Sequence, residues 1–548
     1  MNSQDDNYYY SRLRDIKLED ITSSKWNIRV LQKFRRGDPD FTNLCVDAMR
    51  GDYDSSDDES YYDEDEEEIE YKAEGDDLGW LGYFIGKSEY LKELYIVDLP
   101  HSPDVPISSD VTHTEQVDAF TREMSRNRSI VELEIHHDIT DVGFRNVCSF
   151  VGENNNLRRL ELHHVKPENE SVRHFALMLE QRKCNSLQKL SLDENEFDDA
   201  DIEVIATSLG EQASLEEFAL FQNNLGATGC AALGNTLSTW QAPELTKLDL
   251  SCNNIDDAGL EGLAAGLINC TKLEVLSLAN NLSITAIGLR SLAALFQSKH
   301  CRLREFDISG VYFGDEGAIA LANGLVGNTS LEKMSLSSRS HDSSSDAARM
   351  TEEVGWSAFS KRLLCDTSSI KNTYQSNHTL KFINQYSGEY PPPCVQDYLE
   401  LNRMTMTRGD VEIHFAAMIK ILTHHSDLEM ESLFKWDLKC LPVVVGWFEL
   451  VREILGELEF HREENIMWNE AIVGQQFDEL PRYVNMAVDK LAILENPFLS
   501  RTYGMELSSI DSMELSSIFK FVRAMPKFVV NSIRGKGKDE SRKRKASD

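Results

Sequence analysis

The chain has 548 residues, with 92 Asp and Glu against 56 Lys and Arg, a formal charge of −36. That length calls for several domains or one long repeat array. The acidic balance repels phosphate backbones and anionic lipid, so neither nucleic acid nor a membrane is expected as partner.

Apolar residues make up 41%, enough for a sizeable core, yet the longest nearly unbroken apolar run, Cys440 to Leu450, is about half a membrane span. The first residues, Met1 to Asp6, carry acids where a secretory leader would carry a basic and then an apolar region. The ten cysteines show no C-x-x-C pair, as expected of reduced thiols rather than a disulfide framework or a zinc ribbon. An intracellular, cytoplasmic protein is the expectation, with a nuclear route if the basic C-terminal tail acts as a signal.

Residues 1–51 read as a polar, partly helical N-terminal segment. Residues 52–77 hold fifteen acids and one lysine, Lys72, a composition that predicts disorder. Ser55, Ser56 and Ser60 each have an acid three positions on (Asp58, Glu59, Asp63), a pattern similar to substrates of acidophilic kinases.

From residue 78 to 340 an L-x-x-L-x-L pattern recurs, opening at Leu91, Ile130, Leu157, Leu187, Leu215, Leu245, Leu273, Leu303 and Leu331, with a degenerate tenth at Leu380. From Leu157 the spacings are 30, 28, 30, 28, 30 and 28. In the best-formed unit Leu245, Leu248, Leu250, Asn253 and Ile255 complete L-x-x-L-x-L-x-x-N-x-I, and the equivalent Asn recurs at Asn195, Asn223 and Asn281. After Asn253, Leu260, Leu263, Ala264 and Leu267 follow at helical spacing. Each unit is therefore a strand, a turn and a helix that buries its apolar face only by stacking on its neighbours.

These residues resemble leucine-rich repeat proteins, and the alternating period with its D-x-G-x-x-x-L-A-x-x-L helix is similar to the ribonuclease-inhibitor-like class. The resemblance implies an α/β fold, a solenoid or horseshoe with parallel strands on the concave face and helices outside, followed by an α-helical C-terminal region. It also implies use as a binding scaffold.

The fragment Gly82 to Ser88, G-x-x-x-G-K-S, is one residue short of a phosphate-binding loop and aligns with the helix end before the first repeat strand. Residues 341–408 are expected to hold a Ser/Asp-rich insertion, the degenerate last repeat and a linker. Residues 409–533 carry apolar residues at helical spacing, such as Val411, Phe415, Met418, Ile419 and Leu422, and read as a helical region that caps the array or forms a separate effector domain. Met505–Ile510 and Met513–Ile518 both spell M-E-L-S-S-I. The tail, 534–548, ends in Arg542, Lys543, Arg544 and Lys545, which resembles a bipartite nuclear localisation signal.

In each repeat strand the third, fifth, seventh and eighth positions should face solvent on the concave sheet. The seventh and eighth positions place His136 and His137 in register with His163 and His164, with Glu134 and Glu161 one layer along and Asp193 and Glu194 next in line. Parallel strands lie about 4.8 Å apart, so His136 should stand beside His163. Phe221, just beyond, is the candidate apolar anchor. Third positions alternate in charge, Glu132, Arg159, Lys189, Glu217 and Lys247 among them, which suits a protein partner.

No G-x-S-x-G, H-E-x-x-H or nucleotide-binding module occurs. The expected function is a non-catalytic protein-interaction scaffold using Glu134, His136, His137, Glu161, His163, His164, Asp193, Glu194 and Phe221, without cofactor or metal. Two alternatives stand beside it. Ran GTPase-activating proteins share the repeat class and an acidic segment, although theirs follows the repeats and no F-T-G-R-like sequence occurs here. The histidine strip could instead hold a divalent metal.

Overall fold

A computed structural model describes most of residues 16–403, with breaks chiefly at 48–69, 74–76, 100–112, 181–185, 240–243, 337–349 and 386–389, and a few residues outside that span. Ser55, Ser56, Ser60, the M-E-L-S-S-I duplication and Arg542 to Lys545 lie outside the described residues. The chain divides into two compact units, Met1–Trp356 with Phe382–Pro391, and Ser357–Lys381 with Pro392–Asp548.

The first unit is built on one sheet of 12 strands. Nine of them follow the leucine register: β3 (Glu93–Ile96), β4 (Glu132–Ile135), β5 (Arg159–Leu162), β6 (Lys189–Ser191), β7 (Glu217–Ala219), β8 (Lys247–Asp249), β9 (Val275–Ser277), β10 (Glu305–Ile308) and β11 (Lys333–Leu336). Strand β12 (Phe382–Gln385) follows Leu380 and pairs in parallel with β11. At the other end the order runs β3-β1-β2, with β1 (Asn43–Asp47) and β2 (Glu70–Lys72) extending the sheet ahead of the first repeat. All these pairings are parallel.

Strand β2 lies inside the acidic stretch where composition predicts disorder. Its Tyr71 is fully buried and donates to Asp77 Oδ2 at 2.5 Å, while Asn27 Nδ2 donates to the Lys72 carbonyl at 2.6 Å and Lys72 N donates back to Asn27 Oδ1 at 3.0 Å. Local charge is overridden there by a buried aromatic and a two-way amide bond.

The alternation inside each strand explains the core. Leu157, Leu160, Leu162, Leu187, Leu190 and Leu192 are fully buried, and the same leucines repeat along the array. The recurring Asn ties each repeat to the one before: Asn253 Nδ2 donates to the Leu220 carbonyl at 2.7 Å, and its Oδ1 accepts from Leu225 N at 3.0 Å. Asn195, Asn223 and Asn281 make the equivalent donations at 2.7, 2.8 and 3.0 Å.

Helices return the chain along the other side, among them α1 (Asp141–Glu153), α2 (Asp199–Leu209) and α3 (Asp257–Leu267), started by Thr140, Asp198 and Asp256, whose side chains accept from backbone N–H groups of the first turn.

The G-x-x-x-G-K-S fragment lies on the helix Leu78–Lys87. A Cβ at Gly82 would sit 2.5 Å from the Phe120 carbonyl oxygen, and one at Gly86 2.2 Å from that of Glu123. The two glycines let this helix approach its neighbour His113–Met124, so the motif serves packing rather than a phosphate cradle.

In the second unit the helices Ile370–Gln375 and Pro393–Arg403 precede an antiparallel strand pair, Met406–Arg408 with Val411–Ile413. Val411, at helical spacing in the sequence, is therefore in a strand. Thr407, Val411 and Ile413 are β-branched, which favours strand. Lys420 is buried here and donates to Asn402 Oδ1 at 2.8 Å and to the Asn377 carbonyl at 3.2 Å. Burial pushes its ammonium down to about 7. Most of 409–533 lies outside the described residues.

Candidate functional site

Register carries the side chains of the inner face into rows. The third-position row runs Glu93, Glu132, Arg159, Lys189, Glu217, Lys247, Val275, Glu305, Lys333 and Phe382, and the fifth runs Tyr95, Glu134, Glu161, Ser191, Ala219, Asp249, Ser277, Asp307 and Ser335. Opposite charges pair within a strand and between neighbouring strands along these rows. Arg159 stands 3.6 Å from Glu132 and 3.5 Å from Glu161, and Lys189 Nζ lies 2.6 Å from Glu161 Oε1.

Backbone pairing continues just past the strands: His136 N donates to the Ile96 carbonyl at 2.8 Å and His163 N to that of Ile135 at 2.7 Å. These bonds bring the two imidazoles side by side, with ring centroids 4.3 Å apart and planes 2° from parallel. His136 Nε2 contacts Glu134 Oε1. That hydrogen bond raises the His136 pKa above 6.5, burial opposes it, and the charges of Glu134, Glu161 and Glu194 add to the rise.

His163 is more enclosed, its side chain 11% exposed, with Nε2 3.9 Å from Glu161 Oε2 and Nδ1 4.0 Å from Asp193 Oδ2. Burial works to raise the Glu161 pKa, but the His163 ring, the Lys189 ammonium and the Arg159 guanidinium outweigh it and hold the carboxyl at about 2. Asp193 accepts from Phe221 N at 2.7 Å and Ser191 Oγ at 2.6 Å. Burial raises its pKa even so. Phe221 itself is half-buried.

The eighth position follows a different rule. His164, Glu194, Gln222, Cys252 and Asn280 have φ of 58°, 59°, 52°, 56° and 57°, and Gly310 has 78°. This left-handed step turns the chain from each strand into the loop beyond it. His164 Nε2 lies 3.3 Å from Glu194 Oε2, and Gln222 Nε2 donates to the same oxygen at 3.3 Å.

His137 departs from this row, and its expected place on the exposed face is corrected. It lacks the left-handed step, is 3% exposed, and its Nδ1 accepts from Leu99 N at 3.3 Å. It is a packing residue between the first two repeats. The seventh position also turns inward later in the array, where Ser251, Ala279 and Ser309 are 5%, 8% and 9% exposed.

Tyr95 was passed over in the sequence, though it holds the fifth position beside Glu134. Its hydroxyl donates to Glu93 Oε2 at 3.3 Å. Burial and then the charges of Glu93 and Glu132 push its pKa up to about 12. It supplies a second aromatic on the strip, at the opposite end from Phe221.

The family model described as Leucine Rich repeat matches residues 242–264. Ribonuclease inhibitor of Sus scrofa is 29% identical over 199 residues, 35% of this chain and 42% of that protein. Its Mus musculus counterpart is 33% identical over 147 residues, 26% of this chain and 31% of that protein. The chain thus spans less than half the length of these curated relatives. A solved structure, the Rad7 and Elc1 complex in yeast, is 17% identical with a TM-score of 0.30, covering 55% of this chain and 79% of that one. The repeat array is a leucine-rich repeat solenoid. Within that fold its repeats are similar to those of the ribonuclease-inhibitor-like class, on the relatives just given. Among the described residues no helix is long and apolar enough to cross a membrane.

Proposed function

We infer that this chain is a protein-interaction scaffold whose partner docks on the inner face of the sheet across β3 to β7, without catalysis by the array itself. Solenoids of this kind present extended concave surfaces for binding. One observation carries the reading: the aromatic and imidazole side chains of the fifth and seventh rows, Tyr95, His136, His163 and Phe221, lie on or just past these strands, whereas the seventh positions of the next three strands are the small, buried Ser251, Ala279 and Ser309.

Tyr95 and Phe221 bracket Glu134, His136, Glu161, His163, Asp193 and Glu194, with His164 on the rim. Rigid aromatics among oriented charges are the composition of binding hot spots. Glu161 is already neutralised by Arg159 and Lys189, so it orients those two cations; Glu134 and Glu194, paired with the imidazoles of His136 and His164, and Glu217 are the acids that a basic partner surface would meet.

Photo-crosslinking tests the assignment. A crosslinking amino acid at Glu134 or Glu217 should trap the same neighbour in cells, and one at Glu203 or Glu261, exposed on the outer helices α2 and α3, should not. Equal trapping from both sides would remove the assignment.

A further inference from the structure

We propose that Glu134, His136 and His163 form a site for one divalent transition-metal ion of the zinc class, joining β4 to β5 and keeping a coordination position open to the inner face. One donor atom from each of the three residues lies within 4.8 Å of the other two. Two imidazole nitrogens and a carboxylate oxygen are the donors that zinc takes from proteins, and three protein ligands leave a fourth position for water or a partner's side chain. The site needs no partner to form, so it stands or falls separately from the docking face.

The second observation is the state of His163. Its Nε2 is buried and has no hydrogen-bond partner among the described residues, because Glu161 Oε2 at 3.9 Å is beyond hydrogen-bond reach. An enclosed imidazole nitrogen without a partner is destabilising, and a metal bond would satisfy it. The surroundings suit a cation: the carboxylates of Glu161, Asp193 and Glu194 belong to the same strip, and Arg159 and Lys189 are engaged with Glu161.

Geometry sets what must move. Bonds of about 2.0–2.1 Å in a tetrahedron place donor atoms about 3.3 Å apart, so Glu134 Oε1 and His136 Nε2, now in hydrogen-bond contact, must part to admit the ion. Parallel rings also aim their in-plane lone pairs along parallel lines, and one ring has to turn. His136 and Glu134, with side chains 39% and 28% exposed, have the freedom to do both. His163, far more enclosed, is the fixed donor.

Cobalt(II), a zinc surrogate with visible ligand-field bands, provides the test on the full chain without an affinity tag. Titration should show one cobalt per chain with bands of a four-coordinate site, displaced by zinc. His136→Ala and Glu134→Gln should each weaken binding by about 100-fold or more, above the 10–100-fold typical of residues that merely support ligands. His164→Ala should leave it unchanged. His136 is exposed, so His136→Ala decides the matter even if His163→Ala fails to fold. No cobalt bound at micromolar metal, or binding that survives His136→Ala, would overturn the proposal.

Discussion

Replacing Asn253 by Ala removes the amide that ties the fifth and sixth repeats together. The side chain is 6% exposed. It donates to the carbonyls of Leu220, Leu250 and Ser251 at 2.7, 3.1 and 3.0 Å and accepts from Leu225 N at 3.0 Å. The Leu225 N–H and the Leu220 carbonyl would then be buried without this partner, and each such orphaned group costs about 1–3 kcal/mol. The two together set an expected loss of about 3 kcal/mol, at the upper end of the usual range for single substitutions. Asn224→Ala is the control, since Asn224 is exposed and makes one bond, to the Glu196 carbonyl at 3.1 Å; its loss should stay below about 1 kcal/mol. Urea unfolding followed by circular dichroism measures both, read as midpoint shifts because repeat arrays need not unfold in a single step. Equal losses for the two variants would refute the reasoning.

Three further outcomes follow from the same geometry. Gly82→Ala should destabilise by about 1–3 kcal/mol because its Cβ meets the backbone of Phe120, although the same change in an isolated helix would gain about 1 kcal/mol; a stabilised variant would contradict the packing account. His136 should titrate above 6.5 in the folded chain, its share of stability full below that pH and lost as pH rises through the folded pKa, and Glu134→Gln should move its NMR midpoint down; an unmoved midpoint would show that Glu134 does not hold it. Glu161, held at about 2 from an ordinary 4.5, adds stability above pH 4.5 that disappears as pH falls toward 2, so Glu161→Gln should flatten the acid limb of the stability curve; an unchanged limb would refute that origin.

The fold was legible because leucine spacing reports burial directly. A slip of one residue would turn every leucine out of the core, so the register read from Leu157 to Leu331 survives into the pairing, and the placing of His136 beside His163 follows from it. The eighth position was not legible, since whether a residue faces solvent there depends on a left-handed turn that His164 makes and His137 does not. Strand β2 was hidden because Tyr71 pairs with Asp77 and Lys72 with Asn27, 45 residues away, inside a stretch whose composition alone reads as disordered. Tyr95 could have been found: the row that singled out Glu134 and Glu161 contains it.

The docking face is tested most directly by proximity labelling in cells that express the chain, comparing it with a variant carrying Ala at Glu134, His136, His164 and Phe221, and with a control carrying Ala at Glu203 and Glu261. The account predicts that a defined set of neighbours is lost with the inner-face variant and kept with the control, at equal abundance and equal melting temperature. Neighbours that persist with the inner-face variant would contradict it and place binding elsewhere on the chain.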